Sequence, residues 1–184
     1  MSRTKEDLIR MQGEDTAVGL ACYYLPMEKF IKERNYKRIV EVGTAYGGLA
    51  NHLLSTCEIE LFITIDPYKF YPDMPGLFDQ DDYDMLKYQT ADRLKKYEVC
   101  HMVFMNSKEG YDWVKDDYKV DAVFLDGLHT YDMVKWEIEH YSKLIRPGGA
   151  LIGHDYDTFK EVKRAVDEYC KPIMLETNLW LKEL

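Results

Sequence analysis

The chain reads as a doubly wound α/β protein, a mostly parallel sheet with helices on both faces. Two observations predict this. Short apolar runs alternate with segments of helical spacing from residue 37 to residue 169, and such alternation builds βαβ units. The runs are also short and end at turn signals such as Gly43 and Asp66-Pro67.

The elements follow in order. The N-terminal part, 5–33, reads as one or two helices with Pro26 as a break. We set residues 1–36 apart as a helical cap and 37–184 as the core of one domain. Residues 37–42 (K-R-I-V-E-V) form a first strand ending at Gly43, and a helix follows over 47–54. Residues 60–65 are a second strand, ending at Asp66-Pro67. Helix is expected over 84–97, strand over 100–105 and a short helix over 108–115. A fourth strand occupies 121–125. Val134, Ile138, Tyr141 and Ile145 give helical spacing over 130–144, stopped by Pro147-Gly148-Gly149. A fifth strand at 150–153 and a helix at 159–169 complete the alternation. Two short strands, 173–176 and 179–182, flank Thr177-Asn178. The segment 68–84, rich in aspartate, is longer than a minimal strand-to-helix link, so it reads as a lid over a ligand or as a solvated loop.

Composition narrows the function. With 24 basic and 33 acidic residues the net charge is −9, which argues against a nucleic-acid partner held by phosphate neutralisation. No apolar run is long enough to span a membrane, and the first residues lack the apolar stretch of a signal peptide. The four cysteines are scattered, with no C-x-x-C pair, as expected of reduced thiols in the cytoplasm.

Doubly wound sheets bind ligands beyond the carboxyl ends of their strands, so the strand ends are the place to look for chemistry. The first strand ends V-E-V-G-T-A-Y-G-G over 40–48. Its glycines permit a tight turn and close approach of a ligand, and the following helix offers free amides. Asp66, at the end of the second strand, is placed for ribose hydroxyls. A dinucleotide site reads G-x-G-x-x-G, but here Ala45 stands at the middle glycine, and Glu41 would sit badly beside a pyrophosphate. A carboxylate there suits a cationic group instead.

E-V-G-T-A-Y-G-G, then I-D-P at 65–67, D-A-V-F-L-D-G-L-H at 121–129 and R-P-G-G-A-L-I-G-H-D at 146–155 together resemble a class I S-adenosylmethionine-dependent methyltransferase. The resemblance runs from about residue 37 to 155. It implies a seven-stranded Rossmann-like sheet with an antiparallel last strand. It also implies that Gly43, Thr44, Ala45, Tyr46 and Gly47 wrap the methionine part of S-adenosylmethionine, with Glu41 beside them. Asp66 would take the ribose hydroxyls, Asn106 and Ser107 would lie near the adenine, and Asp126 would belong to the cofactor site.

Within that class, Asp126-Gly127-Leu128-His129 and His154-Asp155 resemble the metal-dependent O-methyltransferases of the catechol, caffeoyl-CoA and macrocin types. Carried over, Asp126 and Asp155 are ligands of Mg2+ or Mn2+, with His154 beside them as a further candidate ligand, and His129 is the catalytic base alongside Asp126. The usual flanking acid is replaced by His154, which shifts preference toward a transition metal; Asp157 is the other residue able to stand in.

The expected reaction is methyl transfer to a hydroxyl of a small sugar or catechol-like diol. A metal-independent N- or carboxyl-methyltransferase and a dinucleotide-dependent oxidoreductase are the alternatives. The N-terminal helices either cover the pocket or make a homodimer face.

Overall fold

The structure is a computed structural model and describes residues 3–71, 76–176 and 178–184. Part of the 68–84 segment and Thr177 of the final turn therefore lie outside the described residues.

Seven strands form one sheet: β1 (Arg38–Val42), β2 (Leu61–Ile65), β3 (Cys100–Val103), β4 (Val120–Leu125), β5 (Ile145–Gly153), β6 (Ile173–Glu176) and β7 (Leu179–Glu183). Their order is β3-β2-β1-β4-β5-β7-β6. The first five are parallel; β7 runs antiparallel to both β5 and β6. The helices are α1 (Lys5–Gly19), α2 (Leu25–Arg34), α3 (Gly48–Thr56), α4 (Gln80–Leu94), α5 (Ser107–Val114), α6 (Tyr131–Tyr141) and α7 (Lys160–Tyr169).

Strand alternation divides the core in two. Val40, Val42, Ile63, Val123, Leu125 and Leu151 meet α6 and α7 through Val134, Ile138, Val162 and Val166. Ile39, Phe62, Ala122, Phe124 and Ile152 meet α2 and α3 through Met27, Phe30, Ile31, Leu49 and Leu53. Burial on both faces explains why the strands carry so few polar residues.

Three expectations change on inspection. Pro26 does not break the N-terminal helix. The chain passes from α1 to α2 through a π-helical turn, Leu20–Tyr24, with Pro26 in the first turn of α2. A proline lacks an N–H and its ring crowds the carbonyl four residues back; the widened turn accommodates both.

The acidic run before residue 84 is largely a helix start. α4 begins at Gln80, with the Asp79 side chain accepting from the Asp82 amide and Asp81 and Asp82 in its first turn, where the helix dipole favours negative charge. Asp82 is fully buried and accepts amides from Phe78 and Arg3. Among the described residues, these acids belong to the fold rather than to a solvated loop.

Pro147-Gly148-Gly149 lies inside β5, not ahead of it. The pairing with β4 shifts between Val120 and Ala122, and Gly148 takes a left-handed conformation (φ +82°) with its amide on the Leu184 carbonyl at 2.7 Å. The three residues make a bulge, which suits proline and glycine in a strand.

Asp121, at the start of β4, fastens this end of the sheet. Its carboxylate accepts the amides of Lys37 (2.6 Å) and Arg38 (3.0 Å) and pairs with the Arg146 guanidinium. Burial alone would raise its pKa, but these donors hold it below the usual carboxylate range. Because the folded value is depressed, the contribution is present above the unfolded value near 4 and lost as pH falls through the folded one. Asp121→Asn is expected to cost about 1–3 kcal/mol at pH 7, with the gap to the native chain narrowing by pH 3. Urea unfolding at both pH values measures it.

Candidate active site

The register aligns the carboxyl ends of four strands. Val42 pairs with Ile65 and Leu125, and Leu125 pairs with Gly153. The residue after each strand prolongs the ladder: Gly43 donates to Ile65 O (2.9 Å), Asp66 to Val103 O (3.1 Å), Asp126 to Val42 O (2.8 Å) and His154 to Leu125 O (3.1 Å). Gly43, Asp66, Asp126 and His154 therefore stand along one edge. The strand order reverses between β1 and β4, which places the crevice there.

A cleft of about 230 Å³ opens at that point. Gly43, Ala45, Asp66, Asn106, Ser107 and Asp126 line it. Tyr68, Met133 and Glu137 line it too. Gly43 is left-handed (φ +87°), and a Cβ there would come within 1.9 Å of the Asp126 carbonyl oxygen.

Asp66 is tied to the turn that follows β1. Its Oδ2 accepts the amides of Thr44 and Ala45, both at 3.0 Å, and its Oδ1 accepts that of Tyr68 at 2.8 Å. Burial nonetheless pushes its carboxyl up. Asn106 lines the cleft, but its side-chain oxygen caps α5 through the Lys108 and Glu109 amides.

Four residues expected around the cofactor do not line the cleft. The Tyr46 ring packs with Leu8, Tyr68, Leu77, Tyr83 and Leu86; its carbonyl accepts from Gln12 and Arg93. Gly47 starts α3 at φ +67° and faces Thr90. Thr44 is buried. Glu41 lies behind the turn, 1% exposed, with Oε2 unpartnered. Burial, then Asp126 and Asp66, push its carboxyl well above the usual range.

Asp126 also belongs to a second cluster with His129, His154 and Asp155. His129 Nε2 is 2.9 Å from Asp155 Oδ2 and 3.9 Å from Asp126 Oδ1. His154 Nδ1 is 3.7 Å from Asp126 Oδ1 and 3.6 Å from Asp155 Oδ1. Ligand atoms of Asp126, His154 and Asp155 lie within 4.8 Å of one another. Asp157 is not in this group; its carboxylate pairs with Lys163 at 3.2 Å.

Local structure holds the cluster. Asp155 is left-handed (φ +61°), and its carbonyl accepts the Phe159 amide. The His129 ring stacks flat on Phe159, centroids 4.2 Å apart. The His154 ring lies 4.4 Å from that of Tyr23, which the π-helical turn brings over the sheet. Burial pulls both imidazoles down, but Asp126 and Asp155 outweigh it and raise His129 to about 9 and His154 to about 10. Burial works to raise Asp155, and the two histidines overcome it and hold it low.

Sequence reasoning missed Tyr23, Tyr68 and Glu137. Glu137 had a signal: three residues after Val134 and one before Ile138, it falls on the apolar face of its helix. Tyr68 had none, because its φ of +47° and its hydroxyl's bond to Ala45 O (3.0 Å) are tertiary.

Residues 40–156 match a family described as a methyltransferase domain. No curated protein matches the chain. Among solved structures, an O-methyltransferase from Bacillus cereus, in complex with S-adenosylhomocysteine, aligns over 96% of this chain and 88% of its own, with TM-score 0.64 and 11% identity. The O-methyltransferase TomG from Streptomyces achromogenes, involved in tomaymycin synthesis and in complex with S-adenosylmethionine, aligns over 79% and 64%, with TM-score 0.57 and 17% identity. The O-methyltransferase NovP aligns over 85% and 75%, with TM-score 0.57 and 17% identity. Identities this low speak for a shared fold, and the family match extends over most of the sheet. The chain belongs to the methyltransferase-domain family, with the fold of the class I S-adenosylmethionine-dependent methyltransferases.

Proposed function

We propose that this protein transfers the methyl group of S-adenosylmethionine to a hydroxyl of a small molecule such as a sugar or catechol-like diol. The observation that carries the reading is the position of Asp126, whose side chain belongs both to the cofactor cleft and to the His129–His154–Asp155 cluster. A methyl donor in the first and an acceptor at the second would meet across that carboxylate.

The cleft suits this cofactor. Asp66 and Asp126 bring two acidic side chains to the cleft, and Glu41, behind the turn after β1, holds a third whose buried Oε2 calls for a donor group. S-adenosylmethionine brings an ammonium and a sulfonium. The turn's backbone, held by Asp66, fixes where the ligand can lie, and positioning of two substrates is a large share of such catalysis.

Asp126, Asp155 and His154 also form a donor set that fits a divalent cation, with the imidazole favouring manganese or a later transition metal over magnesium. A cation there would acidify a chelating hydroxyl. His129, oriented by Asp155 and by its stack on Phe159, is the group to take the proton at a ring nitrogen. This needs its neutral form, which the two carboxylates, raising it to about 9, oppose unless a cation offsets their charge. His129→Ala is expected to lower turnover about 10²–10⁴-fold while S-adenosylhomocysteine affinity stays within about threefold. Unchanged turnover on acceptors found by screening removes the base role.

One observation favours a metal-independent enzyme instead: the two imidazoles already compensate the charge of Asp126 and Asp155. Calorimetric titration with S-adenosylhomocysteine, followed by methyl-transfer assays with and without chelator, separates the readings. Binding with chelator-sensitive turnover supports the metal, binding with chelator-resistant turnover supports the ion-pair alternative, and no binding refutes the proposed function.

A further inference from the structure

Glu137 is the buried acid that the reaction above does not use. It projects from the second turn of α6, is 1% exposed, and lines the cleft beside Ser107, Gly127 and Met133. Its Oε1 has no hydrogen-bond partner. It lies beneath Gly127, where a Cβ would stand 3.4 Å from it. Ser107 Oγ is buried in the same wall without a well-formed hydrogen bond. It is near enough to Glu137 to lower its carboxyl, though burial outweighs this and raises it to about 7. The Tyr141 hydroxyl donates to the Ser107 carbonyl at 2.7 Å and fixes the start of α5. Most of the remaining wall is apolar or aromatic: Ile65, Pro67, Tyr68, Phe70, Leu86 and Met133.

A buried carboxylate oxygen with no donor is costly, by as much as a hydrogen bond left unmade. An apolar slot with a carboxylate acceptor beside a hydroxyl at one end suits a flat heteroaromatic ring. Such a ring should carry an N–H donor next to a ring-nitrogen acceptor. Adenine presents that pair, its exocyclic amine beside N1. Hypoxanthine, with an oxygen in place of the amine, would set that oxygen against the carboxylate.

Resting on the cofactor reading above, we propose that Glu137 is a specificity-determining residue. It accepts from the adenine amine of S-adenosylmethionine, and the Ser107 hydroxyl donates to N1. The role lies in binding and leaves the chemistry at Asp126 and His129 untouched.

The test is calorimetric titration with S-adenosylhomocysteine and with S-inosylhomocysteine, its analogue lacking the amine. The native protein is expected to prefer the adenine compound by about ten- to hundredfold. Glu137→Gln, whose amide can donate to the oxo group, should bring the two affinities within about threefold. Ser107→Ala should weaken both without reversing the preference. Tight binding of both compounds by the native protein, or an undiminished preference in Glu137→Gln, overturns the proposal and leaves the cofactor reading intact. If the native protein binds neither compound, the cofactor reading fails and this proposal with it. The native protein's ratio is informative by itself should Glu137→Gln fail to fold.

Discussion

Gly43→Ala is expected to abolish S-adenosylhomocysteine binding and to destabilise the fold by about 2–4 kcal/mol. Two causes add. The residue sits at φ +87°, where an L side chain is strained, and a Cβ would lie 1.9 Å from the Asp126 carbonyl oxygen and 2.4 Å from its carbon. These are backbone atoms between hydrogen-bonded strands, so no rotamer change relieves the clash. Either β1 and β4 part at their ends, or the 43–47 turn is displaced from the Asp66 carboxylate. Thermal unfolding and calorimetry together measure the outcome. A stable variant with unchanged affinity would mean that this crossing is looser than the contacts indicate.

Asp126→Asn is expected to have the other large effect, on turnover rather than on folding. Asparagine preserves the shape and the backbone bond to Val42 O, so melting should change little. Turnover should fall about 10²–10⁴-fold. The same variant tests the cation. Manganese affinity, followed by the electron paramagnetic resonance of free Mn2+, should drop at least about tenfold if Asp126 is a ligand. Lost turnover with unchanged manganese affinity would place Asp126 in the ion-pair reading with His129 and His154. Unchanged turnover would remove it from the active site.

The sheet was legible because the parallel strands are short apolar runs, and those of β1, β2, β4 and β5 end at a glycine or an acid. Every parallel strand of the structure overlaps a run read from the sequence, and Gly43, Asp66, Asp126 and Asp155 come to one edge as the alternation requires. What escaped was set by contacts far apart in sequence. The start of α4 was misplaced because an acidic run looks solvated until Asp82 is seen buried under Phe78 and the amide of Arg3. Tyr46 was assigned to the cofactor by its place in the glycine-rich turn, yet its ring has better company among Leu8, Leu77 and Tyr83. Which way a turn residue faces depends on what packs above it, here α1, and a local motif does not contain that. Of the two residues able to stand in for the usual flanking acid, His154 lies beside Asp126 because it directly follows β5, whereas Asp157 pairs with Lys163.

The π-helical turn at Leu20–Tyr24 makes one helical rod serve two surfaces. An α-helix advances about 100° per residue, and a π-turn holds in effect one residue more than a regular turn. The segment before it, with Leu8, Gln12 and Thr16, covers α4 and the turn after β1, while the segment after it drives Met27, Phe30 and Ile31 onto the sheet. Tyr23 and Tyr24, neighbours within it, diverge: one lies against His154, the other reaches Asp15 and stacks on His52. Deleting a single residue from this turn would restore an unbroken α-helix and rotate one segment against the other by about 100°. Leu8 and Gln12 would then swing off the glycine turn, or Phe30 off the sheet. The extra residue works as a phase shifter, and an insertion of one amino acid couples the amino-terminal helix to the catalytic edge.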